Sequence, residues 1–142
     1  MNNGFTLTRS IAAAPERVWA AFTDADEYVS WVWPAEWNST CEIDLRVGGV
    51  FRVASEQMGL SIQGTYLEID PITRLVLNWT QTNRDGDSLL TITIDPDGDG
   101  TSLVLTHENF PDEESRADHE RGWTDCLTRL PGYLSSRDKA RQ

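Results

Sequence analysis

A chain of 142 residues has the size of one folding domain, read here as residues 1–142, and can bury about 70% of its unfolded surface without staples. Its net charge of −11 excludes a nucleic-acid partner, which needs a basic stripe, and disfavours anionic membrane surfaces. The sequence has no run near the ~20 apolar residues of a membrane span and no charged start leading into an apolar leader, so a cytoplasmic protein is expected.

Alternation of apolar and polar residues predicts a first strand over 5–11, FTLTRSI. Arg9 shares its apolar face with Phe5, Leu7 and Ile11, and a buried guanidinium needs a partner. That partner is either a neighbouring carboxylate such as Glu108 or the carboxylate of a ligand. Pro15 and Glu16 suit the first turn of a helix whose apolar face is Val18, Trp19 and Phe22. Asp24 caps a second short helix running to about Val29. The segment 31–38, WVWPAEWN, holds three of the six tryptophans around a proline and reads as a loop.

The stretch 39–47, STCEIDLRV, alternates strictly, with Cys41, Ile43, Leu45 and Val47 on one face. Gly48 and Gly49 then form a tight hairpin turn. Further strands are expected at 50–56, with Phe51 and Val53 inward, and at 60–69, 75–81, 88–94 and 101–107. Turns are expected at 70–74 and 85–87. Without helical crossovers these strands make an antiparallel meander.

The hexapeptide DPDGDG, 95–100, separates the last two strands. Asp95, Asp97, Asp99 and Gly100 match the first half of a calcium loop. The position that should carry a bidentate glutamate is Thr106, and the flanks have strand rather than helix periodicity. An Asp- and Gly-rich hairpin turn is the expected reading. After Pro111 a long helix follows, with Trp123, Leu127, Leu130 and Leu134 as its apolar stripe. Acidic residues 112–114 suit its start. Pro131 is expected to bend or stop it near 128–130.

The order predicts an α+β helix-grip fold: a curved antiparallel sheet of about seven strands wrapped on the C-terminal helix, with two short helices after the first strand. A curved sheet gripping a helix leaves a cavity for tryptophans to line. Cys41 and Cys126 fall on apolar faces and read as buried thiols in a reducing compartment.

Five segments carry a family resemblance: TRSIAAAPERVWAAFTDADEYVSWVWP (8–34), DLRVGGVFRV (44–53), GTYLEIDPITRLVLNW (64–79), GTSLVLTHENF (100–110) and GWTDCLTRLPGYL (122–134). Together they resemble the START-like (SRPBCC, Bet v 1-like) superfamily, and within it the branch named after the activator of Hsp90 ATPase. The resemblance implies a seven-stranded helix-grip sheet and an internal pocket for a small, mostly apolar ligand. The branch takes its name from co-chaperones with an additional N-terminal domain. This chain begins almost directly at the first strand, so chaperone activation is not the first expectation.

The expected pocket residues are Trp33, Trp37, Val53, Tyr66, Trp79, Ile92, Leu105, His107, Trp123 and Leu127. Trp31, Trp33 and Trp37 form either an aromatic pocket mouth or a satellite core beneath their loop. Tyr66 and His107 either orient a ligand or are satisfied core groups. His107, Glu108, His119 and Glu120 match no zinc spacing, and the sequence has no G-x-S-x-G, P-loop or Rossmann glycines, so no metal, no cofactor and no catalytic residue is assigned. The leading reading is a binding module for a small hydrophobic or amphipathic molecule. The alternatives are a polyketide-cyclase-like enzyme using Tyr66, His107 or Arg9, and a regulatory module that binds a second copy or a protein partner.

Overall fold

Period-two alternation is realised as seven strands: β1 Phe5–Ile11, β2 Thr40–Ile43, β3 Val50–Ser55, β4 Leu60–Asp70, β5 Arg74–Gln81, β6 Ser88–Asp97 and β7 Gly100–Glu108. The computed structural model describes residues 3–82 and 86–140. The strands form one antiparallel sheet in the order β1-β7-β6-β5-β4-β3-β2. Inward positions Leu75, Leu77, Leu90, Ile92, Leu103 and Leu105 are buried, while Thr6, Thr8 and Thr80 alternate to the exposed face.

The helices are α1 Pro15–Thr23, α2 Ala25–Trp31 and α3 Glu113–Ala140, with one 3-10 turn at Ala35–Trp37. Asp24 Oδ1 accepts from the backbone N–H groups of Asp26 and Glu27, satisfying two donors that the start of α2 leaves open. Asp112 caps α3 likewise, its Oδ1 accepting from one donor, the Ser115 N–H. Trp123, Cys126, Leu127, Leu130 and Leu134 form the buried stripe of α3. Each leucine fully buried on it contributes about 1.5–3 kcal/mol of transfer free energy. The architecture is the α+β helix-grip fold.

Two polar junctions fix the helices to one another. The buried Glu27 carboxylate of α2 accepts from Arg17 of α1 and from the Tyr133 hydroxyl of α3, at 3.1 and 3.0 Å. Arg129 of α3 donates to the carbonyls of Trp31 and Val32, at 3.0 and 2.7 Å, and to Asp125. A cation at the negative end of α2 complements both its dipole and its open carbonyls.

Several expectations need correction. The second strand ends at Ile43, not at residue 47, and Leu45 and Val47 are exposed. The chain leaves the sheet at Asp44, and the loop 44–49 docks on β4 through Gly48 N–H to Tyr66 O and Tyr66 N–H to Gly49 O. The turn is therefore a six-residue loop rather than a tight Gly-Gly hairpin. Helix α3 runs through Pro131 without a break. Arg9 is half-buried and donates to the Thr8 carbonyl at 2.9 Å, rather than pairing with Glu108 or entering a cavity. DPDGDG is a hairpin turn: Asp97 pairs with Gly100, and Gly98 at φ 59 stands first in the two-residue loop. The turn expected at 85–87 lies partly outside the described residues.

Candidate functional site: an aromatic cavity under the C-terminal helix

Between α3, the end of α2 and the inner face of β3–β5 lies a cavity of about 200 Å³. The strands supply Val53, Leu60, Ile62, Trp79 and Gln81, and the α2 end and its following turn supply Tyr28, Val32, Trp33 and Trp37. Helix α3 contributes two adjacent rows. His119, Trp123 and Cys126 are buried against the sheet, and Asp118, Gly122, Asp125 and Arg129 follow the more exposed edge. Spacings of three and four residues place each row on one side of a helix.

Tryptophans set the shape of this space. The rings of Trp33 and Trp37 are 5.6 Å apart and tilted by 49°, and those of Trp79 and Trp123 are 5.4 Å apart at the same tilt. Trp79 also stacks on Phe51 at 5.8 Å, which holds it from behind. Such tilted and offset pairs are the favourable aromatic geometries. The charges at the rim are matched locally: Asp118 with Arg121, and Asp125 with Arg129. The interior is thus apolar and aromatic, and the rim carries paired charges.

The polar network beneath the cavity is structural. Trp123 Nε1 donates to His107 Nδ1 at 3.1 Å, so the remaining proton of the neutral ring sits on Nε2. Nε2 then donates to Ser88 Oγ at 2.7 Å, and Ser88 donates to the Trp79 carbonyl. A serine–histidine nucleophile needs the opposite arrangement, in which the histidine accepts the serine proton. Burial, helped by the nearby His119, holds the His107 pKa down to about 2. Burial likewise pushes the Cys126 thiol up to about 12. Neither group is a ready base or nucleophile at neutral pH. His119 donates from Nδ1 to the Ser115 carbonyl at 2.8 Å. Among the described residues no group of three metal-ligating side chains comes together.

Of the ten expected pocket residues, Trp33, Trp37, Val53, Trp79 and Trp123 line the cavity. Tyr66 and Ile92 instead border a separate void of about 10 Å³ under Phe51, and Leu105, His107 and Leu127 are buried core. Trp31 is also core, its indole donating to the Ala21 carbonyl at 3.0 Å. The lining residues not expected from the sequence are Tyr28, Val32, Leu60, Ile62, Gln81, His119, Cys126 and the edge row of α3. For His119 and Cys126 the sequence carries a signal, since they lie four and three residues from Trp123 and so share its side of the helix.

The family profile described as activator of Hsp90 ATPase homolog 1-like protein matches residues 12–135. The chain belongs to this family. Its fold is shared by protein CV1439 from Chromobacterium violaceum, with 30% identity and a TM-score of 0.80 over 93% of this chain and 96% of that one. CalU16 from Micromonospora echinospora has 26% identity and a TM-score of 0.77 over 98% and 80% of the two chains. PFC0360w, an HSP90 activator from Plasmodium falciparum, has 27% identity and a TM-score of 0.78 over 93% and 96%. No curated protein matches the chain. No helix among the described residues is long and apolar enough to cross a membrane.

Proposed function

We propose that this family member binds a small hydrophobic or amphipathic molecule in the cavity beneath α3. The observation that carries this reading is an apolar space of about 200 Å³ walled by four tryptophans from three different parts of the chain. An engineered apolar cavity of about 150 Å³ is already enough to hold benzene. Tyr66, His107 and Arg9, the groups that an enzyme of polyketide-cyclase type would use here, do not line it. Native mass spectrometry of protein purified from its own host, followed by denaturing extraction, tests the reading. A stoichiometric small molecule released on denaturation is expected. Bare protein that also shows no thermal stabilisation by small apolar compounds would overturn it.

A second reading has its own observation. Leu45, Val47, Val50 and Leu67 are exposed around the loop 44–49 and the strand β4 on which it docks. The solved HSP90 activator is spanned over 96% of its length by this chain, so chain length does not separate the two readings. This surface would hold a chaperone-class partner. Co-purification with an Hsp90-type ATPase that is lost on Val47→Asp supports it, and equal recovery with the variant removes it.

A further inference from the structure

Gly122 stands ten residues into α3, where glycine is destabilising relative to alanine because it loses more backbone freedom on folding. It is exposed and lines the cavity, and a Cβ built on it meets no atom within 4 Å. Packing therefore does not require the missing side chain. Its neighbours on the same edge of the helix, Asp118 and Asp125, carry side chains tied into ion pairs with Arg121 and Arg129. Gly122 is the gap between them. Trp123, the next residue, turns inward to pack on Trp79.

Resting on the binding reading above, we propose that Gly122 is the specificity-determining position of the cavity: its bare backbone forms the entrance, and its lack of a side chain sets the width of what can enter. The size of the space limits the ligand further. Pockets for drug-sized molecules run to about 300–1,000 Å³, whereas a cavity near 150 Å³ holds benzene. At about 200 Å³ the buried part of the ligand is a single or fused pair of aromatic rings, or a short apolar chain. A fused four-ring compound or a long acyl chain does not fit. With rim charges already matched, the inserted part is uncharged.

Calorimetric titration with indole, 2-naphthol and pyrene tests this, using the whole chain and the variants Gly122→Ala, Gly122→Leu and Gly132→Leu. Gly132 is the control, being a second glycine of α3 with open space at its Cβ and no part in the cavity wall. Wild type and Gly132→Leu should bind indole or 2-naphthol but not pyrene. Gly122→Leu should lose at least about tenfold in affinity, and Gly122→Ala should melt roughly 2–4 °C higher while binding more weakly than wild type. Should Gly122→Leu fail to fold by circular dichroism, the alanine variant decides alone. Unchanged affinity in the folded Gly122 variants, with wild type binding, overturns the entrance assignment and leaves the cavity reading standing. Pyrene binding as tightly as indole overturns the size limit. Absence of binding by wild type to all three compounds overturns this proposal, and together with bare protein in native mass spectrometry it removes the cavity reading as well.

Discussion

The indole nitrogen of Trp123 and Nδ1 of His107 lie 3.1 Å apart, joining helix α3 to strand β7 through a histidine that is fully buried. The burial of that histidine, helped by His119, makes stability depend on pH in a defined direction. The folded His107 pKa is held down to about 2, whereas an unfolded histidine titrates near about 6.5. Below pH 6.5 the unfolded chain takes up a proton that the folded chain refuses. The histidine's contribution is therefore fully present above that pH and is lost as pH falls. Between pH 7 and 5 it amounts to about 2 kcal/mol. His107→Ala should cost about 2–4 kcal/mol at pH 7, through the emptied space and the orphaned Trp123 and Ser88 groups. Urea unfolding at the two pH values should show a correspondingly flatter dependence for the variant. An unchanged pH dependence would refute the assignment.

Arg129 joins α3 to the end of α2 through the carbonyls of Trp31 and Val32, and is held in place by Asp125 of its own helix. Replacing it with lysine keeps the charge but loses the planar fork that reaches two carbonyls and a carboxylate together. A loss of about 1–3 kcal/mol in urea unfolding is expected, because hydrogen bonds to charged donors are the stronger ones. Because Arg129 also lines the cavity, ligand stabilisation should weaken in the same variant, read as a smaller thermal shift with 2-naphthol.

Both cysteines should be unreactive in the folded protein. Burial pushes Cys41 and Cys126 to about 12. Against a free thiol near pKa 8.5, the thiolate fraction at pH 8 falls on the order of 10³-fold. Labelling with a disulfide reagent should therefore be slow under native conditions and complete in denaturant. Rapid native labelling of Cys126 would contradict its placement against the sheet.

Pro131 lies inside a continuous helix, where it cannot donate to the Leu127 carbonyl. The residue is exposed, so replacing it removes little packing. Pro131→Ala should stabilise the chain by about 1–3 kcal/mol. A destabilised variant in guanidinium unfolding would mean that the proline bends the helix to fit the sheet.

These particulars show which features a linear sequence carries. Asp24 was legible as a cap because its partners are its own near neighbours. Alternation placed Trp79 and Val53 on the inner face because the pleat fixes the side of every second residue. The same rule misled at Leu45 and Val47, which keep the period after the chain has left the sheet, since alternation does not record whether a partner strand is present. It also gives the side of a residue but not its depth. Leu105 and His107 face inward like Trp79, yet they are filled over by neighbours while Trp79 borders open space. Tyr28 and Val32 line the cavity because α2 docks on α3, and that docking rests on Arg129, some 97 residues away from Val32.

Among the described residues strand β1 pairs only with β7, placing Phe5 opposite His107 across nearly the whole length of the sheet-forming chain. The strand made before the other six is thus among the last to find its partner. During synthesis β1 has no neighbour until β7 emerges, and the hairpins in between can form on their own. Long-range closure of this kind slows folding, because the loop entropy is lost before the contacts that offset it are made. A nascent chain stopped before residue 113 should carry hairpins but lacks α3, one whole wall of the cavity, and so any ligand joins the protein only after translation has passed that helix.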